Sequence, residues 1–159
     1  MDESGGNYLV RRMCMRDLGE VEAIERECFS SPWTRQGFAD ALSCAENIFL
    51  LAQERRSKRI AGYCGLYKAA DEGEITNVAV TADCRRQGIA SALLSAMQRE
   101  ATLSGIAQIF LEVRVSNAAA IALYEKYSFA ICARRRGFYR DPDEDAYVMS
   151  CRPGRGAEE

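Results

Sequence analysis

The sequence contains no histidine. This absence excludes imidazole-based catalytic triads, histidine-ligated metal sites and imidazole acid–base chemistry near neutral pH. Proton transfer would have to use carboxylates, tyrosine, cysteine, lysine or water. The seven cysteines are scattered and include no Cys-x-x-Cys pair, so neither a disulfide framework nor a metal site is predicted, and we expect reduced thiols in a cytoplasmic protein.

The sequence also lacks long apolar runs and a large charge excess, and we expect no secretion signal. No uncharged run approaches the roughly 18 residues of a membrane span, and the start of the chain lacks the basic and apolar regions of a signal peptide. The net charge of −2 gives no electrostatic reason to expect nucleic acid or an anionic membrane as partner. From 159 residues we expect one domain over residues 8–151, with flexible ends at 1–7 and 152–159.

Apolar periodicity predicts seven strands and four helices, arranged as a sheet of mixed direction in the α/β or α+β class. The strands are expected at residues 8–13, 47–54, 59–68, 75–80, 106–114, 128–135 and 146–151. The helices are expected at 18–29, 34–42, 88–104 and 118–127. Asp17, followed three residues later by Glu20, has the spacing of a capping box at the start of the first helix.

A strand, a basic turn and a helix start follow one another between Ile75 and Leu94. The turn Arg85–Ala90 brings Gly88 to the beginning of the helix, where unpaired N–H groups and the helix dipole attract anions. The segment therefore predicts a site for a phosphate-bearing ligand, with a plain basic loop as the alternative. The P-loop and the G-x-G-x-x-G fingerprint are both absent, so neither ATP nor NAD is favoured.

Three candidate functional side chains lie between Leu111 and Tyr124. Glu112 interrupts an apolar strand, where a carboxylate is costly unless it is paired or solvated; pairing with Arg114 or with solvent is the structural interpretation. Asn117 immediately precedes the next helix, so its side chain can simply cap that helix. Tyr124, one turn before the end of that helix, also fits a core position on spacing alone.

Several motifs together resemble one superfamily. The turn Arg85–Ala90 fits the pattern (Arg/Gln)-x-x-Gly-x-(Gly/Ala), which is similar to the pyrophosphate-binding motif of the GCN5-related N-acetyltransferases (GNAT). The run Leu-Glu-Val-Arg-x-Ser-Asn-x-x-Ala-Ile-x-Leu-Tyr from Leu111, followed by Phe129, resembles the ribosomal-protein-alanine N-acetyltransferases within it. The blocks at residues 17–42 and 135–149 resemble that family too, so the likeness extends over residues 9–150.

This resemblance implies a GNAT fold, with a mixed central sheet of about seven strands flanked by about four helices and with strands 75–80 and 106–114 splayed apart. It implies that acetyl-CoA lies in the gap and that its pantetheine pairs with the backbone of Val78, Ala79 and Val80. It also implies that Asn117 contacts the cofactor, that Glu112 is the general base and Tyr124 the general acid. The pyrophosphate is expected on Arg85, Arg86, Gln87, Gly88, Ile89, Ala90 and Ser91.

The acceptor implied by the resemblance is the N-terminal alanine of protein eighteen of the small ribosomal subunit. The expected partner is therefore the N-terminal peptide of a small-subunit ribosomal protein. One alternative is a broader protein N-terminal or small-molecule amine acetyltransferase, and another is a non-catalytic acyl-CoA-binding module. The loop Asp141–Asp145 carries four carboxylates and is expected either on the peptide side or as a solvated turn.

Two positions depart from the usual family pattern. Ala90 stands where many relatives have glycine, a variant that the superfamily pattern permits. Ser128 precedes Phe129 where the family usually has glycine. A non-glycine residue at positive φ costs about 1 kcal/mol, so a glycine-like conformation of Ser128 at the end of this helix would be strained.

Overall fold

A computed structural model of the chain describes residues 6–154. Parts of the predicted flexible ends, residues 1–5 and 155–159, lie outside the described residues. The strands are β1 (Tyr8–Arg12), β2 (Ile48–Glu54), β3 (Ile60–Ala69), β4 (Glu72–Val80), β5 (Gln108–Arg114), β6 (Ala130–Tyr139) and β7 (Glu144–Cys151). The α-helices are α1 (Leu18–Cys28), α2 (Arg35–Ser43), α3 (Ile89–Leu103) and α4 (Ala118–Lys126).

The seven strands form one mixed sheet in the order β1-β2-β3-β4-β5-β7-β6. Neighbouring strands pair antiparallel except for β4 and β5, which are parallel. The β4–β5 pairing covers three rungs and stops after Glu74 and Phe110, although both strands continue. The central strands therefore separate into a gap, and the predicted mixed sheet with splayed central strands is confirmed.

A β-bulge lies in β4 beside the gap. Across β3, Gly65 pairs with Asn77 while Leu66 pairs with Ile75, which leaves Thr76 as an extra residue. Because a bulge shifts the alternation of side chains, Ile75 belongs to one core and Ala79 to the core on the opposite face. Bulges commonly re-aim side chains next to functional sites.

Two cores sandwich the sheet. The larger core packs α3 against one face and takes in the predicted apolar stripe of that helix, which includes the fully buried Leu93 and Met97. Burying a side chain of this size contributes about 1.5–3 kcal/mol, so α3 is held mainly by its packing. The smaller core lies on the other face and packs α1 and α2, with Val21 and Phe38 fully buried.

The predicted capping box at the start of α1 is wrong. Residues Met15–Asp17 form a 3₁₀ turn, so the backbone is already helical at Asp17 and its side chain does not cap α1. The Asp17 carboxylate instead accepts two hydrogen bonds from Arg11 at 2.9 Å and one from the Cys14 N–H at 2.8 Å. The Arg11 guanidinium lowers the pKa of Asp17 below its usual value.

Other boundaries differ by a few residues. β4 begins at Glu72 rather than at residue 75, and β6 begins at Ala130 rather than at residue 128. Ser128 adopts a φ of 70°, which is the left-handed conformation that the usual glycine would take.

Among residues 6–154 no helix is long and apolar enough to cross a membrane. All seven cysteines lie in the described range as free thiols.

Candidate active site

The gap between β4 and β5 is the centre of the candidate site. Beyond Glu74, β4 pairs with β3 alone, through Cys64–Val78, Tyr63–Ala79 and Gly62–Val80. The predicted pantetheine-binding segment, Val78–Val80, therefore borders the gap, and among residues 6–154 no strand pairs with it on its β5 side. An extended ligand can add to such a free strand edge by backbone hydrogen bonding.

The turn after β4 forms an anion cradle at the start of α3. Arg86 (φ 65°) and Gly88 (φ 78°) are both in the left-handed conformation, and Gly88 is the N-cap residue of α3. Ala92 donates from its N–H to the carbonyl of Gly88 at 3.0 Å, so the N–H groups of residues 89–91 precede this first intrahelical bond. A Cβ at Gly88 would meet no atom of residues 6–154 within 4 Å, so the backbone there leaves room for a ligand.

A cleft of about 350 Å³ borders this cradle. Tyr8 donates its hydroxyl hydrogen to Oε1 of Gln87 at 2.8 Å and thereby fixes one side of the cleft. Four of the predicted cofactor-binding residues line the cleft together with residues of β1, β2, α3 and the end of α4. Its lining consists of Tyr8, Ala52, Gln87, Gly88, Ile89, Ser91, Ala92, Ser95 and Tyr127.

Arg85 lies differently from its neighbours in the turn. Its Nε donates to the carbonyl of Val80 at 3.2 Å, and its Nη2 lies 3.8 Å from the sulfur of Cys28. The guanidinium therefore folds back over the end of β4 and α1. Its positive charge stays near the cradle, while its hydrogen bonds tie the turn to the sheet.

Glu112 lies on β5 just past the last β4–β5 rung, with 17% of its side chain exposed. Its Oε1 accepts a hydrogen bond from Nη1 of Arg135 on β6 at 3.1 Å. The expected alternative partner, Arg114, is elsewhere: its Nη1 donates to Glu144 at 3.2 Å and its guanidinium lies 4.4 Å from the ring centre of Tyr139. The interpretation that pairs Glu112 with Arg114 is therefore wrong.

Tyr124 lies on α4 and is half-buried beside the larger core. Its ring meets that of Phe129 edge to face, with 5.8 Å between the ring centres. Burial raises the pKa of Tyr124 well above its usual value, and the neighbouring Cys64 and Tyr139 raise it further. The phenol therefore combines core packing with a hydroxyl that stays protonated at neutral pH.

Asn117 caps α4. Its Oδ1 accepts the N–H of Ala120 at 3.1 Å, so the structural interpretation of this residue is confirmed. The cap fixes the start of α4 directly after β5, and α4 in turn carries Tyr124. The predicted contact of Asn117 with the cofactor stays a prediction.

Three residues of the gap were not found from the sequence. Glu74 lies in the last β4–β5 rung with an exposed side chain, and partial desolvation and the carboxylate of Glu112 raise its pKa. Arg135 binds Glu112, and Tyr139 has its pKa raised to about 12 by burial and by the same carboxylate. No local motif marks these positions, because strand register and the β6–β7 hairpin bring them together.

A buried carboxylate on α1, Glu25, was also missed as a feature of the fold. It is 2% exposed and accepts hydrogen bonds from the Tyr63 hydroxyl, from Nδ2 of Asn77 at 3.0 Å and from the N–H of Trp33 at 2.9 Å. Burial raises the pKa of Tyr63, and its hydrogen bond to Glu25 adds to this effect. The group joins α1, β3, β4 and the connection to α2.

The Acetyltransferase (GNAT) family model matches residues 18–129. The match covers well over half of the chain, so the chain belongs to the GNAT family of N-acetyltransferases, which use acetyl-CoA as acetyl donor. The splayed strands and the glycine turn at the start of α3 agree with this class. Among residues 6–154, no group of three or more Cys, Asp and Glu side chains could hold a metal ion.

Individual relatives within the family have more specific names. The chain is 37% identical over 136 residues to the ribosomal protein bS18-alanine N-acetyltransferase of Escherichia coli K12, which covers 84% of this chain and 90% of the relative. It is 45% identical over 161 positions to an N-alpha-acetyltransferase of Saccharolobus solfataricus, covering 93% and 95%. A crystal structure of the E. coli ribosomal-protein-S18-alanine N-acetyltransferase matches with a TM-score of 0.84 at 32% identity, covering 96% and 97%.

Proposed function

We propose that the protein transfers the acetyl group of acetyl-CoA to the N-terminal α-amine of ribosomal protein bS18, where the first residue is alanine. The observation that carries this proposal is the match to the E. coli enzyme named for that reaction, at 37% identity over 90% of its length. A ribosomal acceptor also agrees with the cytoplasmic location expected from the sequence.

The chain's own residues fit the acetyl donor. The free edge of Val78–Val80 suits pantetheine, and the open backbone at Gly88, together with the first N–H groups of α3, suits a pyrophosphate. Arg86 adds positive charge beside this cradle. In this proposal Asn117 contacts the cofactor with its Nδ2 group, since its Oδ1 is already engaged with Ala120.

Glu112 is proposed as the general base. An α-ammonium has a pKa of ~7.7–8.0, so a carboxylate acting directly or through water can remove its proton near neutral pH, while a lysine ammonium at ~10.4 is much harder to deprotonate. Arg135 holds one Glu112 oxygen at 3.1 Å and leaves the other for the acceptor. The neutral amine then attacks the thioester carbon, and the C–S bond breaks with its electron pair on sulfur.

Tyr124 is proposed as the general acid. Because its pKa is raised, the hydroxyl keeps its proton until the departing sulfur takes it. The second proton of the attacking nitrogen replaces the one that Tyr124 gives up, directly or through water. The products are the acetylated peptide, free CoA and one proton released to solvent.

The acidic loop, Asp141–Asp145, has fewer carboxylates available for a basic acceptor than its charge suggests. Glu144 accepts from Arg114 and from the Ser116 N–H at 2.7 Å. Asp145 accepts from the Gly137 N–H at 2.8 Å and from Arg134 at 2.9 Å. These two carboxylates hold the β6–β7 hairpin, so any preference of the loop for a basic acceptor rests on Asp141 and Asp143.

The test is a panel of acceptors assayed by release of free CoA thiol. The proposal expects an Ala-Arg-rich peptide to give a higher kcat/KM than a neutral peptide starting with alanine, free lysine or an aminoglycoside. Added salt should reduce the preference, because exposed charges are screened beyond about 10 Å at 0.1 M. Equal turnover of small amines would reject the ribosomal acceptor, and absent thiol release with every acceptor would favour an acyl-CoA-binding module.

The match to the S. solfataricus N-alpha-acetyltransferase favours a second candidate, an enzyme with a broader range of protein N-termini. The same panel separates the two when it includes peptides that differ only in their first residue. A bS18-type enzyme should prefer alanine by at least tenfold in kcat/KM, which corresponds to about 1.4 kcal/mol in transition-state binding. A broad enzyme should accept serine, threonine or methionine equally well.

A further inference from the structure

The buried carboxylate of Glu25 divides its hydrogen bonds between two parts of the molecule. Its Oε1 accepts from the Tyr63 hydroxyl and, at 3.0 Å, from Nδ2 of Asn77, so this oxygen is bonded to the sheet. Its Oε2 accepts the N–H of Trp33 at 2.9 Å, so the second oxygen is bonded to the connection between α1 and α2. A residue that is only 2% exposed therefore links a connecting segment to the central strands.

A carboxylate at this place is costly if its role is stability alone. None of the ion pairs formed among residues 6–154 includes Glu25, and its three hydrogen-bond donors are neutral groups. Taking a carboxylate out of water without a cation is unfavourable, and well-packed apolar side chains often stabilise a core as well as buried charged groups do. Both oxygens of a carboxylate accept hydrogen bonds, however, so it can hold donors on two sides at once.

On the sheet side, Glu25 holds the bulge of β4. Asn77 follows the extra residue Thr76, and its Oδ1 accepts the Thr76 hydroxyl while its Nδ2 donates to Glu25. Both ends of the Asn77 amide are thus engaged at the bulge. The bulge lies two residues beyond the last β4–β5 rung at Glu74 and directly before Val78–Val80, the predicted pantetheine edge. A shift of Asn77 would therefore move the edge on which the acetyl donor is proposed to lie.

On the other side, Glu25 holds the segment at Trp33 beside the gap. The Trp33 ring stacks on that of Tyr67 in β3, with 5.8 Å between the ring centres and 28° between the planes. Tyr67 pairs in register with Glu74, where the β4–β5 pairing ends. Trp33 packs against the smaller core, on the sheet face opposite α3 and the cradle. Since the acetyl donor is proposed to lie on the α3 side, the acceptor would approach from the Trp33 side.

We propose that Glu25 is a positioning residue, which fixes the Trp33 segment to the β4 bulge and thereby sets the distance between the acceptor amine and the acetyl group. The inference rests on the proposed acetyl transfer, and Glu25 itself touches neither substrate. Displacing reacting atoms by about 1 Å can cost on the order of 10²-fold in rate, so a link between two walls of the gap can control turnover from outside it. Glu25→Gln breaks the link, because the NH₂ group of an amide cannot accept from the donors on one of the two sides.

Steady-state kinetics separate positioning from stability. We expect Glu25→Gln to lower kcat/KM for the Ala-Arg-rich peptide by ~10- to 100-fold. Acetyl-CoA affinity in calorimetry should stay within about threefold, because the backbone cradle at Gly88 is unchanged. Val21→Ala is the matched control, since Val21 is fully buried on α1 in the same core and takes no part in the Glu25 hydrogen bonds.

The control should lower the melting temperature as Glu25→Gln does and keep kcat/KM within about twofold, because it leaves a cavity but no broken link. Equal losses of kcat/KM in the two variants, or unchanged turnover in Glu25→Gln, would overturn the proposal. A loss of acetyl-CoA affinity as large as the loss of kcat/KM would overturn it as well.

Asn77→Ala cuts the link from the β4 side and leaves the hydrogen bond between Glu25 and Trp33 in place. It should give the same loss of kcat/KM, and the double variant with Glu25→Gln should lose little more, because both changes act on one link. This variant also tests the proposal where Glu25→Gln does not fold. Full turnover in Asn77→Ala would overturn the link.

The single tryptophan of the chain allows a test without any acceptor. Protein labelled with ¹⁵N-tryptophan has one backbone amide signal, that of Trp33, and the hydrogen bond to Glu25 should slow the exchange of this proton with solvent. Acetyl-CoA should shift the signal in the unchanged protein, and Asn77→Ala should abolish the shift while exchange stays slow. An identical shift in Asn77→Ala would overturn the link, even if the peptide is acetylated. If the shift depends on Asn77 but no peptide is acetylated, the link stands and the proposed function fails.

Discussion

At the scale of single residues, the proposed mechanism uses groups of different chemistry on β5 and α4. Glu112 accepts a hydrogen bond from Arg135, Glu74 lies in the last β4–β5 rung, and Tyr124 lies on α4 beside the larger core with its pKa raised by burial. A base that removes the ammonium proton and an acid that protonates the sulfur are both needed for amide formation. In the proposed mechanism, which has no histidine to use, Glu112 and Tyr124 fill these roles.

Removing either group should slow the chemical step. We expect Glu112→Gln and Tyr124→Phe each to lower kcat by ~10²-fold, the usual effect of losing a general acid or base. The deficit of Glu112→Gln should shrink as pH rises past the pKa of the α-amine, because a neutral amine needs no base. Steady-state kinetics from pH 6 to 9 measure this, with Glu125→Gln on the exposed side of α4 as control. A deficit of Glu112→Gln that is independent of pH would make Glu112 a binding or structural residue.

Gly88 allows a matched experiment on the cradle. Gly88 and Gly105 flank α3 with φ values of 78° and 77°, and in the described part of the chain a Cβ at either would meet no atom within 4 Å. Gly88→Val and Gly105→Val should therefore cost similar stability, about 1–2 kcal/mol from backbone strain. Only Gly88→Val should weaken acetyl-CoA binding, by at least tenfold in calorimetry. Equal acetyl-CoA affinities for the two variants would remove the cradle from the site.

At the scale of elements, the site depends on the order in which β4, α3, β5 and α4 follow one another. The parallel β4–β5 pair ends after three rungs, and α3 crosses between the two strands on one face of the sheet. On the opposite face, the Glu25 group ties α1 and the segment at Trp33 to β3 and β4. The two faces thus fix β4 from both sides while its edge stays free at the gap.

Glu25→Gln tests how much this connection contributes. A neutral amide cannot accept from all three donors as the carboxylate does, so at least one buried polar group loses its partner. We expect a loss of about 1–3 kcal/mol in the free energy of unfolding, measured with urea. Glu46→Gln, on an exposed turn, is the control and should change stability little. A change as small as that of the control would mean that solvent already satisfies these donors.

Which of these features follow from the sequence depends on the range of the interactions. The helix α3 was predictable because its buried residues, Leu93 and Met97 among them, recur at the helical period. The start of β4 at Glu72 was not predictable, because residues 72–74 (Glu-Gly-Glu) contain no apolar side chain to show the strand period. These residues form a strand by pairing with β3 and β5. The proximity of Glu74 and Glu112 depends on that register and is invisible in either segment alone.

At the scale of the whole molecule, several carboxylates connect stability to pH. Arg11 lowers the pKa of Asp17, and the Gly137 N–H and Arg134 lower that of Asp145. A carboxylate with a lowered folded-state pKa stabilises the protein above its unfolded pKa of about 3.9, and this contribution is lost as pH falls through the folded-state value. Acid unfolding should therefore begin below about pH 4.

Asp17→Asn isolates one of these contributions. The Asp17 side chain is 7% exposed and bonded twice to Arg11, so the variant should lose about 1–3 kcal/mol at pH 7. The difference from the unchanged protein should shrink below about pH 4, because the Asp17 carboxylate is then protonated in the unfolded state, and should be lost as pH falls through the lowered folded-state pKa. Urea unfolding at pH 7 and at pH 3 measures both values. A difference that stays the same at both pH values would show that packing, rather than charge, is responsible.

The central claim is that the chain acetylates a protein N-terminus. Its most direct measurement is fragmentation mass spectrometry of an Ala-Arg-rich peptide, also containing lysine, after incubation with the protein and acetyl-CoA. The account predicts one added acetyl group on the α-amine of the first alanine, none on lysine, and no product from the same peptide with a blocked N-terminus. Acetyl groups on lysine side chains, or an unmodified peptide alongside normal acetyl-CoA binding, would contradict it.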